Sequence, residues 1–164
     1  MENKINYKCC FTGHRPKKMN IAKHSVNYLK LKHKLKNEII NAIQFGYNHF
    51  ITGMALGTDI LCAKIVLKLK KKHDIKLECA IPCLNQTERW TNSDKKNYEI
   101  IINQADIKTY VSDKKYYNGC MQKRNRYMVD NSSLIIAHFN GSTGGTKQTI
   151  DYAKSKNKKI IIIE

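Results

Sequence analysis

Three times in this chain an apolar run ends in a turn of glycine and threonine and then passes into residues with helical spacing. The first turn, Thr12-Gly13-His14-Arg15-Pro16, follows residues 7–11. The second, Thr52-Gly53-Met54-Ala55-Leu56-Gly57-Thr58-Asp59, follows residues 48–51. The third, Asn140-Gly141-Ser142-Thr143-Gly144-Gly145-Thr146, follows residues 133–139. A short apolar run closed by glycine and followed by a helical period is a strand feeding a helix. Repeats of that unit impose parallel pairing through crossovers.

The rest of the chain keeps the alternation. Val26, Leu29, Leu31, Leu35, Ile39, Ile40 and Ile43 predict a helix over 25–45, stopped by Gly46. Further helices are expected over 58–72, 92–104 (capped by Asn92 or Ser93), 120–130 and 146–156. Strands are expected over 7–11, 49–51, 76–81, 107–111, 134–139 and 159–163. Ile160-Ile161-Ile162-Ile163 is apolar throughout, the pattern of a strand buried on both faces. The prediction is a doubly wound, mainly parallel α/β sheet with helices on both faces. With no internal repeat, low-complexity tract or Pro/Ser-rich linker, 1–164 reads as one domain, and 164 residues suffice for one core.

On such sheets ligands bind beyond the carboxyl ends of the strands, where the strand order reverses. All three glycine turns lie at those ends, as do Pro82 and the loop carrying Arg89 and Trp90. A turn without Cβ atoms bares its N–H groups, and a helix amino terminus behind it favours an anion. A phosphate-bearing ligand is the natural occupant. Arginine forks suit phosphate, and the chain has only four arginines: Arg15, Arg89, Arg124 and Arg126.

The net charge of +17 points to a polyanion. Much of it falls on helix faces, as at Lys30, Lys32, Lys34 and Lys36, where lysines are simply solvated. Charge alone gives weak, non-specific nucleic-acid affinity. The six cysteines include no Cys-x-x-Cys pair and sit among apolar residues. They read as small buried hydrophobes, with no metal site. No apolar run reaches the roughly 20 residues of a membrane span. Met1-Glu2-Asn3-Lys4 has no apolar stretch behind it, so no membrane association is expected and the cytoplasm is the expected compartment.

Taken in order, several motifs resemble the YpsA/YoqJ-like branch of the SLOG superfamily over roughly residues 7–164. They are the Thr12–Pro16 turn, Gly53 to Asp59, Ala80-Ile81-Pro82 with Gln86 and Trp90, Arg124-Asn125-Arg126-Tyr127-Met128-Val129-Asp130, and Gly144-Gly145-Thr146. The resemblance implies a Rossmann-like fold and a nucleotide-derived ligand. The superfamily includes cytokinin-activating phosphoribohydrolases, the DNA-processing protein DprA and sensor domains of anti-phage systems. The phosphoribohydrolases carry a glutamate three residues after the threonine of the second glycine motif; here that position is Thr149. No catalytic residue is therefore assigned, and no cofactor is expected.

The resulting expectation is a sensor or sequestering protein for a nucleotide-like small molecule. Its ligand-binding residues would be Thr12, Gly13, His14, Arg15, Gly53, Met54, Ala55, Gly57, Thr58, Asp59, Pro82, Arg89, Trp90, Arg126, Gly144, Gly145 and Thr146. Asp59 is expected either on a ribose hydroxyl or serving the helix start, with Thr58 as its cap. His14 is either a phosphate donor or a structural turn residue. Trp90 either stacks on a base or packs in the core. Asp130 is expected to pair with Arg126 one turn back. Tyr116 and Tyr117 could lid the site or form a dimer contact, and a homodimer is carried as an expectation. The alternatives are an enzyme acting at a nucleotide N-glycosidic bond, and a single-strand nucleic-acid binder.

Overall fold

The computed structural model describes residues 4–19, 22 and 24–164. Met1–Asn3, which bear on the reading of the amino terminus, lie outside them. A 3-10 turn, Lys4–Tyr7, leads into β1 (Lys8–Gly13), a short helix α1 (Pro16–Met19), and α2 (Val26–Gln44). Then come β2 (His49–Thr52), α3 (Thr58–Leu69), β3 (Lys76–Ile81), α4 (Asn92–Gln104) and β4 (Ile107–Tyr110). The chain ends with α5 (Cys120–Asp130), β5 (Leu134–His138), α6 (Gly145–Ser155) and β6 (Lys159–Ile163).

All the strands pair in parallel, in the order β4-β3-β2-β1-β5-β6. The chain steps outward from β1 to β4, then returns across the sheet to β5 beside β1. Right-handed crossovers in opposite directions must lie on opposite faces. Accordingly, α2, α3 and α4 pack on one face against Cys9, Phe11, Phe50, Leu77 and Ile136. Helices α5 and α6 cover the other through Met128, Val129, Ile150 and Ala153, against Cys10, Ile51 and Ile135. Neighbouring residues of one strand thus serve different cores, the two-residue period of a pleated strand. This is the doubly wound α/β sheet that the sequence predicts.

Several boundaries differ from the sequence expectation. Strand β1 runs on to Gly13, because β5 continues to pair with it as far as Gly13 opposite His138. The first glycine turn therefore starts inside the sheet. Helix α3 stops at Leu69, three residues before the expected end. Thr91, not Asn92 or Ser93, caps α4 by accepting from Asp94 N at 3.2 Å. The four-isoleucine strand is the clearest departure. It forms the sheet edge, and Ile162 is 46% exposed. Burial on both faces is instead found in strands with a neighbour on each side, such as β5, all five of whose residues are buried. All six thiols are buried and free. Among the described residues no helix is long and apolar enough to cross a membrane.

Candidate ligand-binding cleft

The strand order reverses between β1 and β5, so the crevice expected of such sheets opens where these two strands end. A cleft of about 450 Å³ lies there. Its wall includes Thr12, Gly13, His14 and Arg15 after β1, Ala55 and Asp59 at the start of α3, and Thr143 to Thr146 at the start of α6. Lys17 and Lys18 of α1 and Tyr116, Asn118, Met121, Gln122, Arg124 and Asn125 of the β4–α5 loop and α5 complete it.

Two histidines tie the two strand ends together beneath this cleft. His14 is 3% exposed, and its Nε2 accepts from Asn140 N at 3.0 Å. A nitrogen that accepts cannot carry a proton, so His14 is a neutral Nδ1–H imidazole. Burial pushes its pKa down, and the Asn140 side chain acts against that fall. Thr58 Oγ1 donates to the His14 carbonyl at 3.2 Å. Its only proton is thereby used, so the contact with His138 Nδ1, also 3.2 Å, requires that ring nitrogen to donate. Burial and the neighbouring His14 lower the His138 pKa to about 4.

The second glycine turn is filled by the protein itself. A Cβ on Gly53 would lie 2.8 Å from the Arg124 guanidinium. A Cβ on Gly57, whose φ is +96°, would lie 2.5 Å from the His14 carbonyl oxygen. One on Gly13 would lie 2.4 Å from Thr58 Oγ1. The Gly53 carbonyl accepts from Arg124 Nη1 and from Gln86 Nε2. Thr52 Oγ1 donates to the Asp59 carbonyl at 3.0 Å and accepts from Met54 N at 3.3 Å. Met54 is fully buried in the larger core. The Asp59 side chain accepts from Ala55 N at 3.3 Å. Burial raises the Asp59 pKa, and the nearby Arg124 acts against that rise. Arg124 itself is 3% exposed, with its pKa lowered by burial and supported by Asp59.

The third turn is different. Gly144 precedes α6 with φ +136° and no side chain caps the helix. The first-turn amides of α6 therefore lack both an intrahelical and a capping partner. A Cβ on Gly145 would meet nothing within 4 Å. Lys18 Nζ reaches across the turn to the Thr143 carbonyl at 2.5 Å. The Arg15 guanidinium is exposed and makes no hydrogen bond among the described residues. Thr149, where the phosphoribohydrolases carry glutamate, is buried and donates to the Gly145 carbonyl at 2.8 Å. Among the described residues, the one carboxylate lining the cleft is Asp59.

Of the residues expected in the site, Thr12, Gly13, His14, Arg15, Ala55, Asp59, Gly144, Gly145 and Thr146 line the cleft. Gly53, Met54 and Thr58 lie beneath it as structure, and Gly57 borders a separate apolar pocket of about 200 Å³. Pro82 is buried at the end of β3, and Arg89 is exposed in the following loop. Trp90 packs edge-on to Tyr98, with ring centroids 5.6 Å apart, against the larger core. Thr58 is not the cap of α3; Gly57 holds that position and the threonine hydroxyl is used elsewhere. Arg126 points away from the cleft and lies 5.7 Å from the Tyr152 ring centroid. Asp130 accepts from the Tyr152 hydroxyl at 2.8 Å instead of pairing with Arg126. The inward arginine is Arg124. Its helical phase was a usable signal, since Cys120, Arg124 and Met128 recur every fourth residue and all three are buried.

Comparison with known proteins agrees with this architecture. The sequence model of the YspA SLOG family (YpsA) matches residues 9–163. The SPbeta prophage-derived protein YoqJ of Bacillus subtilis is 40% identical over 139 residues, covering 77% of this chain and 81% of YoqJ. A UPF0398 protein of Bacillus cereus is 26% identical over 151 residues, covering 90% of this chain and 82% of its own length. Among solved structures, DNA processing protein A from Helicobacter pylori, described for its single-stranded DNA binding mode, superposes with a TM-score of 0.66 at 21% identity. DprA from Streptococcus pneumoniae gives 0.68 at 15% identity. The alignments cover 98% and 97% of this chain, but only 66% and 50% of those longer proteins, and at such identities they establish the shared fold. With a family match running nearly end to end and a close prophage relative, this chain belongs to the YpsA/YoqJ-like SLOG family.

Proposed function

We propose that the cleft at the β1/β5 reversal holds a nucleotide-derived small molecule by its phosphate and does not turn it over. The observation that carries this reading is the open approach to Gly145 at the uncapped start of α6. Arg15, Lys17 and Lys18 line the same cleft, adding positive charge where an anion would meet the α6 amides. Binding without turnover is favoured by the side chains present where an N-glycosidase would need an acid or base. Thr149 is neither acid nor base and its proton is committed to Gly145. Asp59 accepts from Ala55 N and sits beside Arg124, whose charge favours its ionised form. Such a protein acts as a sensor or as a sequestering protein.

A thermal-shift screen tests the reading against nucleoside phosphates, cyclic oligonucleotides, NAD and ADP-ribose. A ligand that binds the native state raises the melting temperature by mass action. A phosphate-bearing nucleotide should stabilise the protein and be recovered intact after prolonged incubation. Free base released during that incubation would replace binding with catalysis.

The charge of +17 and the single-stranded DNA binding described for the Helicobacter protein favour a second reading, in which the cleft grips a nucleic-acid strand. That reading predicts an affinity for single strands that falls steeply with salt. A blank small-molecule screen with single-stranded DNA giving the sole shift would select it.

A further inference from the structure

Arg15, Lys17, Lys18 and the α6 turn line part of the cleft, with Lys18 bound to the Thr143 carbonyl. The part of the lining from the β4–α5 loop and α5 is chemically distinct. Besides the buried Arg124, whose guanidinium is bound to Gly53 and Asn125, it carries Tyr116, Asn118, Met121, Gln122 and Asn125, none of them charged. The Asn125 carboxamide is held in one orientation. Its Oδ1 lies 2.8 Å from Arg124 Nε, a nitrogen that only donates, so the carboxamide oxygen must face the guanidinium. Arg124 is in turn fixed by the Gly53 carbonyl and by Met121 Sδ. The Asn125 amino group makes no hydrogen bond among the described residues, which leaves it as a preset donor on the cleft wall. Tyr116 stands at the rim with 60% of its surface exposed, and its backbone N–H donates to Asn85 Oδ1 at 2.7 Å. The loop is anchored while the ring is left uncovered.

We infer that this wall is the subsite for the uncharged heterocycle of the ligand. Asn125 donates to a ring nitrogen or ring carbonyl, and Tyr116 with Met121 supplies the apolar contact to the ring face. Two neutral amides, Asn118 and Gln122, offer both donors and acceptors to its edge. The inference rests on the nucleotide reading of the cleft and adds the orientation: phosphate toward α6, base toward α5. Such a polarity split would make an anion alone a poor ligand. Aromatic stacking and one directed hydrogen bond raise affinity by at least about tenfold over a phosphate sugar lacking the base.

The experiment is calorimetric titration of the full chain with each nucleoside 5′-monophosphate, with ribose 5-phosphate and with inorganic phosphate. It is repeated on Tyr116→Ala, whose side chain is 60% exposed, and on Asn125→Leu, each checked for an unchanged melting temperature. The expected result is at least one nucleotide binding about tenfold or more tighter than ribose 5-phosphate. That gap should shrink in both variants while ribose 5-phosphate affinity stays unchanged. Equal affinity for nucleotide and ribose 5-phosphate, or a gap that both variants preserve, overturns the base subsite and leaves the phosphate site standing. Failure of every compound to bind overturns the nucleotide reading and this inference with it.

Discussion

Two turns in this molecule look alike in sequence and do opposite work. The turn from Gly53 to Asp59 and the turn from Gly144 to Thr146 each follow a strand, carry two glycines and a threonine, and open a helix. In the first, the places where Cβ atoms would stand are taken by the Arg124 guanidinium and the His14 carbonyl. In the second, the place beside Gly145 is vacant. Glycine at a strand end therefore signals close approach of something. Whether that something is the protein or a ligand depends on what the rest of the chain brings there.

The largest test of this contrast is to remove the filler. Arg124→Ala leaves the Gly53 carbonyl with one partner fewer and Asp59 without its compensating charge. A loss of about 3–5 kcal/mol in chemical denaturation is expected, the cost of breaking a buried charged arrangement. Arg124→Lys should recover little of it, because one ammonium cannot reach Gly53, Asn125 and Met121 together. A wild-type-like denaturation midpoint for Arg124→Ala would mean the second turn is not supported from α5.

Acid should act on the same support. His138, whose pKa falls from 6.5 to about 4 in the fold, binds its proton more weakly there than in the unfolded chain. Stability is thus complete above pH 6.5 and declines as the pH falls toward 4, by at most on the order of 3 kcal/mol. Glu78 adds a further decline below 4.5, its ordinary value. Burial raises its pKa, but hydrogen bonds from His49, Tyr127 and Thr109 outweigh burial and hold it lower. In His138→Asn, an amide nitrogen can still donate to Thr58, and the melting temperature should vary less between pH 6.5 and 4. An unchanged pH profile in that variant would remove His138 from the account.

Smaller effects separate the glycines directly. Gly53→Ala and Gly57→Ala should each cost about 1–3 kcal/mol, since a methyl must displace the guanidinium or a backbone carbonyl. Gly145→Val should change stability by no more than about 0.5 kcal/mol, as expected for an open surface position. It should nevertheless abolish ligand binding, because the isopropyl group fills the approach to the α6 amides. Comparable melting temperatures for Gly53→Ala and Gly145→Val would erase the distinction drawn between the two turns.

The fold was legible because its signals are local. Apolar runs, glycine stops and helical periods give the elements, and the doubly wound order follows from crossover handedness. The edge position of β6 was not legible, since the isoleucine pattern looks the same with one neighbouring strand as with two. The site was readable only in outline. The sequence marks where glycines stand, but Arg124 reaches Gly53 across 71 residues, and nothing local announces that contact. Lys17 and Lys18 are not distinguishable in sequence from the many other lysines, because the four-residue helix that carries them to the cleft has no length over which to show a period. The phase of Arg124 on α5, in step with Cys120 and Met128, is the sequence signal that marks it rather than Arg126 as the inward arginine.

Backbone amide NMR during titration with a nucleoside 5′-monophosphate tests the central claim most directly, and a 19.0 kDa chain suits it. The account predicts large shifts at Gly145 and Thr146, with Gly53 and Gly57 moving little. Large shifts at Gly53 and Gly57 with Gly145 unmoved would contradict it.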